Sequence, residues 1–289
     1  MMWRAPAHWK TYQNDSGIRA VHAPEFPLAA IEYLAHISVR PAGQTQLTGW
    51  HHELVKDSKS AVYRITDGEA AYFAKHYTNR AMTEIIKALL RPPIRSVAIA
   101  HALLADHIPV PEPVAAVSIR RGIGKTERIF VSREVWGKPL RRAINAGALT
   151  REQRTQIAKA MGYVWGSMLS CGYLHMDPIS GNFIYDVSTD TQPITLIDLD
   201  NIYRVPRVML TSRLPFGRRR LVKFIYRLSK PLAQQGAPPI RLDEFRCFRR
   251  AYIAAGGPEI PNARVWWQGI MHIVGVRWKR NLGRSYPQL

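Results

Sequence analysis

The sequence contains little cysteine, few acidic side chains and no long apolar run. Its 289 residues include two cysteines, Cys171 and Cys247, without the C-x-x-C spacing of a metal site. No stretch reaches the roughly 18 apolar residues that a membrane-spanning helix needs. The N-terminus also lacks the unbroken apolar segment of a secretory signal. These absences predict a reduced, cytoplasmic protein whose contact with any membrane is peripheral.

The shortage of acidic residues leaves a large positive charge. Lys and Arg number 41 against 21 Asp and Glu, which gives a formal net charge of +20. Such a surplus predicts anionic partners, namely nucleic acid, an acidic membrane surface or a phosphorylated glycolipid, and charge alone does not distinguish them. The Arg-rich segments 213–220 and 277–284 are either solvated faces or, as we expect in so basic a chain, an anion-contacting surface.

The pattern of strands and helices divides the chain into three segments. Residues 60–65 and 70–77 predict a β-hairpin around an Asp67-Gly68 turn, and residues 113–118 and 128–135 predict two further strands. Helical periodicity dominates the later part of the chain. We therefore predict an N-terminal extension packed on the body over residues 1–49, a β-rich lobe over 50–136 and a helical lobe over 137–289.

A capped helix leads to the most informative loop. Thr150 and Gln153 form the Thr-x-x-Gln pattern of a capping box. The apolar face that follows ends before Gly172, which suits the residue after a helix C-terminus. This predicted helix delivers the chain to His175.

The loop after this helix has the spacing of a phosphoryl-transfer site. It begins His175-Met-Asp177 and reaches Asn182 five residues after Asp177, and an apolar run then ends at Asp198. Protein kinases show the same spacing, because one carboxylate must act on the substrate hydroxyl while an amide and a second carboxylate hold magnesium. The spacing predicts Asp177 as the catalytic base or orienting group and Asn182 and Asp198 as magnesium ligands. We expect His175 to be structural.

Several segments together resemble the protein-kinase-like superfamily, and within it the lipopolysaccharide core kinases that phosphorylate heptose or Kdo sugars. The resemblance extends over about residues 50–285 and rests on Ile108-Pro-Val-Pro-Glu-Pro, Leu174 to Asn182, Leu196-Ile-Asp-Leu-Asp200 and the Arg-rich run from Arg218 to Leu228. It implies an α+β, two-lobed fold with a β-rich N-lobe and a helical C-lobe. It also implies ATP and magnesium as cofactors and phosphate transfer to a sugar hydroxyl.

The resemblance further implies a nucleotide site in the β-rich lobe. Lys75 would contact the α- and β-phosphates; the alternative is a surface lysine on an edge strand. Glu134 and Val135 would begin an adenine-facing hinge that ends at Gly137 and offers backbone hydrogen bonds, unless this is a plain strand end. Ser58 and Ser60 lie in a turn without glycine. That turn could cradle phosphate through backbone N–H groups or be an ordinary polar turn.

One feature of this family pattern is missing. Kinases pair the nucleotide-binding lysine with a glutamate on the following helix. The corresponding position here falls near Arg95 or Ser96, neither of which is acidic. Glu84, which lies before Pro92-Pro93, could substitute, or the lysine could be held in another way.

The sequence leaves three functions open. The first is an ATP-dependent kinase of lipopolysaccharide core sugars, which acts peripherally at the cytoplasmic face of the inner membrane on an anionic glycolipid. The second is a small-molecule phosphotransferase of the aminoglycoside or choline type, whose cationic acceptors fit a +20 chain poorly. The third is an impaired pseudokinase or basic binding module. Nucleic-acid binding would explain the charge but not the Asp177, Asn182 and Asp198 spacing, so no nucleic-acid partner is expected.

Overall fold

The structure, a computed structural model, describes most of the chain in two compact units. The described residues are 4–37, 49–57, 60–77, 92–122, 126–146, 149–189, 191–206, 240–260 and 262–282. One unit consists of Met1–Leu104 and Pro111–Glu134, and the other consists of Ala105–Val110 and Val135–Leu289. Among the helices described, none combines the length and the apolar character needed to cross a membrane.

The first unit is built on a seven-stranded antiparallel sheet. The strands are β1 Lys10–Gln13, β2 Ile18–His22, β3 His51–Asp57, β4 Ala61–Thr66, β5 Ala71–Tyr77, β6 Pro113–Arg120 and β7 Thr126–Arg133. Their spatial order is β1-β2-β6-β7-β5-β4-β3. Asp67 closes the predicted β4–β5 hairpin, because its Oδ1 accepts hydrogen bonds from the backbone N–H groups of Glu69 and Ala70.

Two helices of the first unit lie within the described residues. Helix α1, Leu28–Ile37, buries Ile31 and Leu34 in one apolar core with sheet residues such as Ile65 and Val131. The segment predicted as an N-terminal extension therefore contributes β1, β2 and α1 to the first unit. Helix α2, Pro93–Ala105, begins with a proline, which is tolerated in the first turn of a helix.

Within its described residues, the second unit contains four helices and several short strands. The strands are β8 Lys138–Pro139, β9 Tyr173–His175, β10 Phe183–Tyr185, β11 Ile194–Leu196 and β12 Ile202–Arg204. A three-stranded sheet has the order β11-β10-β8, and β12 pairs with β9. The helices are α3 Leu140–Asn145, α4 Arg151–Ser170, α5 Leu242–Ala254 and α6 Ala263–Leu282, with a 3₁₀ turn at Ser180–Asn182.

Helix α4 begins and ends as its sequence predicts. The Thr150 side chain accepts a hydrogen bond from the N–H of Gln153, and the Gln153 side chain accepts one from the N–H of Thr150. Gly172 follows the helix with φ +83°, a conformation that strongly favours glycine. The buried face between these ends includes Met161 and Trp165.

Two glycines allow α4 to approach α5 closely. Gly162 and Gly166 are one turn apart on α4, and a Cβ atom at either position would overlap a backbone carbonyl oxygen, that of Phe248 or Tyr252 respectively. Backbone atoms cannot rotate away as the end of a side chain can. Glycine is therefore required at both positions for this helix crossing.

Replacement of Gly162 by alanine is expected to destabilise the protein by about 1–3 kcal/mol, because α4 and α5 must move apart. Urea-induced unfolding measures this loss. Gly181→Ala is the matched control, since a Cβ added there meets no atom within 4 Å. Equal stability of the two variants would contradict the proposed role of the close crossing.

Candidate active site

The loop predicted to be catalytic is fixed at both ends by backbone hydrogen bonds. It leaves β9, where His175 pairs with Ile202 of β12. The N–H of Met176 then donates to the carbonyl of Asn201 at 2.8 Å. At the other end the 3₁₀ turn leads directly into β10. The loop is thus held between two strand pairs, which restricts the positions of its polar side chains.

The side chain of His175 forms a hydrogen bond with the backbone of the loop. Its side chain is fully buried, and its ring lies 6.4 Å from the ring of Phe183. Nδ1 accepts a hydrogen bond from the backbone N–H of Asp177 at 3.1 Å. A neutral imidazole that accepts at Nδ1 carries its proton on Nε2. His175 therefore orients the backbone of Asp177.

Asn182 connects the loop to the segment that follows β11. Its buried side-chain Nδ2 donates to the carbonyl oxygen of Asp177 at 3.0 Å and to Asp198 Oδ2 at 3.3 Å. Its own backbone carbonyl accepts from the N–H of Ile197 at 2.9 Å. The two hydrogen bonds to Asp177 and Asp198 use both hydrogens of Nδ2. The side-chain oxygen Oδ1 is the atom of this amide that could ligate a cation.

The chemistry of this cluster fits magnesium. Asp198, two residues beyond β11, supplies a half-buried carboxylate, and Asn182 supplies an amide oxygen. Magnesium prefers such oxygen ligands and usually completes its coordination with phosphates and water. Within the described ranges no group of three or more His, Cys, Asp or Glu residues could hold a metal. Asn182 and Asp198 together could hold a magnesium ion whose other ligands are phosphates and water.

Lys75 lies in the interior of the large sheet. Its strand β5 is hydrogen-bonded between β4 and β7, and Lys75 is paired with Val62 and Phe130. The alternative of a lysine on an edge strand is therefore wrong. Its Nζ is 5.4 Å from the centroid of the Tyr77 ring, and the side chain is half-buried.

Glu134 is the last residue of the first unit, and Val135 is the first residue of the longer segment of the second unit. The Glu134 carboxylate accepts two hydrogen bonds from Arg64, at 2.6 and 2.9 Å, and this contact raises the pKa of Arg64. The Glu134 N–H donates to the carbonyl of Ala71 at 3.0 Å. That N–H is committed to the neighbouring strand, so a hydrogen bond to a nucleobase would have to use the Glu134 carbonyl or Val135.

The remaining predicted residues are only partly described. Ser60 directly precedes β4 and is half-buried. Ser58, Glu84 and segment 213–220 lie outside the described residues, as do residues 283–284 and the side chains of 277–282. The first turn of α2 contains buried Arg95 and Ser96 and no acidic residue. The described part of α2 therefore supplies no glutamate at the expected position.

One neighbour of the loop could not be predicted from the sequence. Helix α3 packs against the 3₁₀ turn, β8 and β10, with Leu140 and Ile144 buried. Six residues are too few to show helical periodicity. In the sequence, this segment differs from its surroundings only by the pair Arg141-Arg142, which adds to the positive charge of the chain.

No known sequence family and no curated protein matches the chain. Among solved structures it is similar to WaaP in complex with acyl carrier protein, with a TM-score of 0.50, 13% identity and coverage of 80% of this chain and 88% of WaaP. It also matches WbdD with a TM-score of 0.46, 15% identity and coverage of 78% of this chain and half of WbdD. WaaP has a kinase-like fold. The similarity to WaaP confirms, at the level of fold, the resemblance shown by the motifs, and the chain has a protein-kinase-like fold.

Proposed function

We propose that this protein is an ATP-dependent phosphotransferase that phosphorylates a sugar hydroxyl, on heptose or Kdo, of lipopolysaccharide core. The observation that carries the proposal is the contact of one amide, Asn182, with both the Asp177 backbone and the Asp198 carboxylate. This contact brings together the two polar segments that phosphoryl transfer requires. The kinase-like fold shared with WaaP supports the reaction class.

In this proposal Asp177 acts on the acceptor. Its carboxylate orients the attacking hydroxyl or accepts its proton, while His175 and Asn182 hold its backbone through the N–H and the carbonyl. The polar atoms that fix the loop are thus separate from the group that contacts substrate. Such separation keeps the Asp177 backbone in place when substrate binds or leaves.

Asn182 and Asp198 would hold magnesium, and the first unit would hold the nucleotide. When bound, magnesium offsets the charge that develops on the phosphates. Lys75 would contact the α- and β-phosphates, Glu134 and Val135 would offer backbone hydrogen bonds to the adenine, and Ser58 and Ser60 would face the phosphates. The interior position of β5 supports the role of Lys75, because both neighbouring strands restrict where its backbone can move.

The charge of the chain supports an anionic acceptor. At +20 the protein attracts phosphorylated and acidic sugars and repels the cationic acceptors of an aminoglycoside or choline phosphotransferase. Lipopolysaccharide core presented at the cytoplasmic face of the inner membrane meets this requirement. The protein would reach it as a peripheral membrane protein.

An impaired kinase or basic binding module is the second candidate. Buried Arg95 and Ser96 occupy the α2 turn where a kinase carries glutamate. An arginine there cannot form an ion pair with Lys75. In a kinase that lacks this ion pair, the lysine positions phosphate less well and activity falls.

A panel of acceptors tests the proposed reaction. Purified protein is incubated with magnesium, γ-labelled ATP and one acceptor at a time: heptose-containing core oligosaccharide, a Kdo oligosaccharide, an aminoglycoside or choline. We expect label on a heptose or Kdo acceptor and only background labelling when EDTA removes magnesium. Transfer to the aminoglycoside or choline would replace the proposal with the small-molecule alternative. Absence of transfer to every acceptor would leave the impaired kinase.

A further inference from the structure

Two large apolar side chains are exposed at one end of a strand pair in the second unit. Trp136 is 78% exposed and Val187 is 66% exposed. Strand β8 pairs with β10 through Lys138 and Tyr185, so Trp136 and Val187 both lie just beyond the same end of this ladder. Gly137, at φ +116°, lets the chain pass closely over the Tyr185 carbonyl. A tryptophan this exposed loses the burial that usually stabilises it, which indicates a contact surface.

Three cations accompany these apolar residues. Lys138, Arg141 and Arg142 are exposed, and none of them forms an ion pair or a side-chain hydrogen bond in the part of the chain that the structure describes. The nearby carboxylate of Asp186 accepts hydrogen bonds from Ser188 and Thr189, which lower its pKa, so it stays a single local negative charge beside three cations. These five residues, Trp136, Lys138, Arg141, Arg142 and Val187, form what we term the Trp136 patch.

The Trp136 patch adjoins the loop of the candidate active site within the second unit. Arg141 and Arg142 lie on the exposed face of α3, whose opposite face packs against the 3₁₀ turn that contains Asn182. A surface that engages the patch is therefore separated from that turn by a single short helix. Such a position suits a partner that also carries the acceptor.

We propose that the Trp136 patch docks on the surface of an anionic lipid bilayer. Tryptophan favours the boundary between head groups and acyl chains, and unpaired Lys and Arg side chains are attracted to anionic head groups. Residues 136–142 combine both features, and the pairing of β8 with β10 brings Val187 to the same end of the ladder. The purpose of this docking, which is to bring the loop to a lipid-borne sugar, rests on the proposed function. Lipid binding itself needs no phosphate transfer.

Co-sedimentation with vesicles tests this docking in the absence of ATP and acceptor. The vesicles contain phosphatidylcholine with about one third phosphatidylglycerol, or phosphatidylcholine alone. We expect the wild-type protein to bind only the anionic vesicles. The double variant Arg141→Ala/Arg142→Ala is expected to lose about 25-fold in affinity, at about five-fold per cation. Trp136→Ala is expected to lose about tenfold, because it removes the interfacial anchor.

A charge-matched variant separates local docking from the overall charge. Arg246→Ala/Arg264→Ala removes two exposed arginines from α5 and α6 and changes the net charge equally. It is expected to bind anionic vesicles within about twofold of wild type. Equal losses in both double variants, or full binding by both patch variants, would overturn the proposal and assign the patch to another partner. Because the assay contains no substrate, loss of binding in the patch variants supports docking even if no acceptor is ever phosphorylated.

Discussion

Replacement of Asp177 by alanine is expected to lower kcat by about 1,000-fold while changing the affinity for magnesium-ATP by less than about twofold. The variant lacks the carboxylate that acts on the acceptor hydroxyl, whereas the proposed magnesium ligands, Asn182 and Asp198, are unchanged. Steady-state phosphate transfer measures the first quantity. Equilibrium binding of ATP in the presence of magnesium measures the second.

The backbone contacts of the loop explain why nucleotide binding should survive. Asn182 donates to the main-chain carbonyl of Asp177, and His175 accepts from the main-chain N–H of the same residue. Alanine retains both groups. Asp106→Asn is the control, because Asp106 is an exposed carboxylate of the same unit and its loss should leave kcat unchanged. If Asp177→Ala kept a tenth of the wild-type rate, Asp177 could not be the proposed base or orienting group.

The sequence predicted the local features of the site because short-range geometry determines them. The Asp67 turn, the Thr150 capping box and the glycine after α4 each depend on residues within a few positions of one another. The five-residue step from Asp177 to Asn182 is also local, and it allows the amide to reach back to the Asp177 carbonyl. Over five positions, the spacing of residues in the sequence therefore indicates which side chains can contact one another.

Contacts between residues distant in sequence could not be derived in the same way. Arg64 binds Glu134 across 70 positions, and Arg154 binds Glu244 across 90. The chain contains 41 basic and 21 acidic residues, so charge alone leaves far too many possible pairs. The pairing of β2 with β6 joins residues more than 90 positions apart, from Ile18–Ile119 to His22–Ala115, so the sequence did not indicate it. Strand order and helix packing decide such contacts, and periodicity encodes neither of them.

Replacement of Glu244 by alanine is expected to lower the free energy of unfolding by about 3–5 kcal/mol. The Glu244 side chain is almost fully buried and accepts hydrogen bonds from Arg154 at 2.7 and 2.9 Å, which joins α4 to α5. It also accepts from the N–H of Arg241, the residue that caps α5. Its loss leaves the Arg154 guanidinium largely buried without its carboxylate. Urea-induced unfolding monitored by circular dichroism measures the change.

The neighbouring ion pair provides a control that differs mainly in exposure. Arg151 and Asp243 join the same two helices at 2.8 Å, but their side chains are 68% and 44% exposed, against 13% and 4% for Arg154 and Glu244. Water already solvates the exposed pair, so Asp243→Ala should change stability far less than Glu244→Ala. Similar losses in the two variants would show that burial does not determine the strength of this helix contact. A large loss confined to Glu244→Ala would show that the buried pair holds α5 against α4, the helix that leads into the candidate catalytic loop.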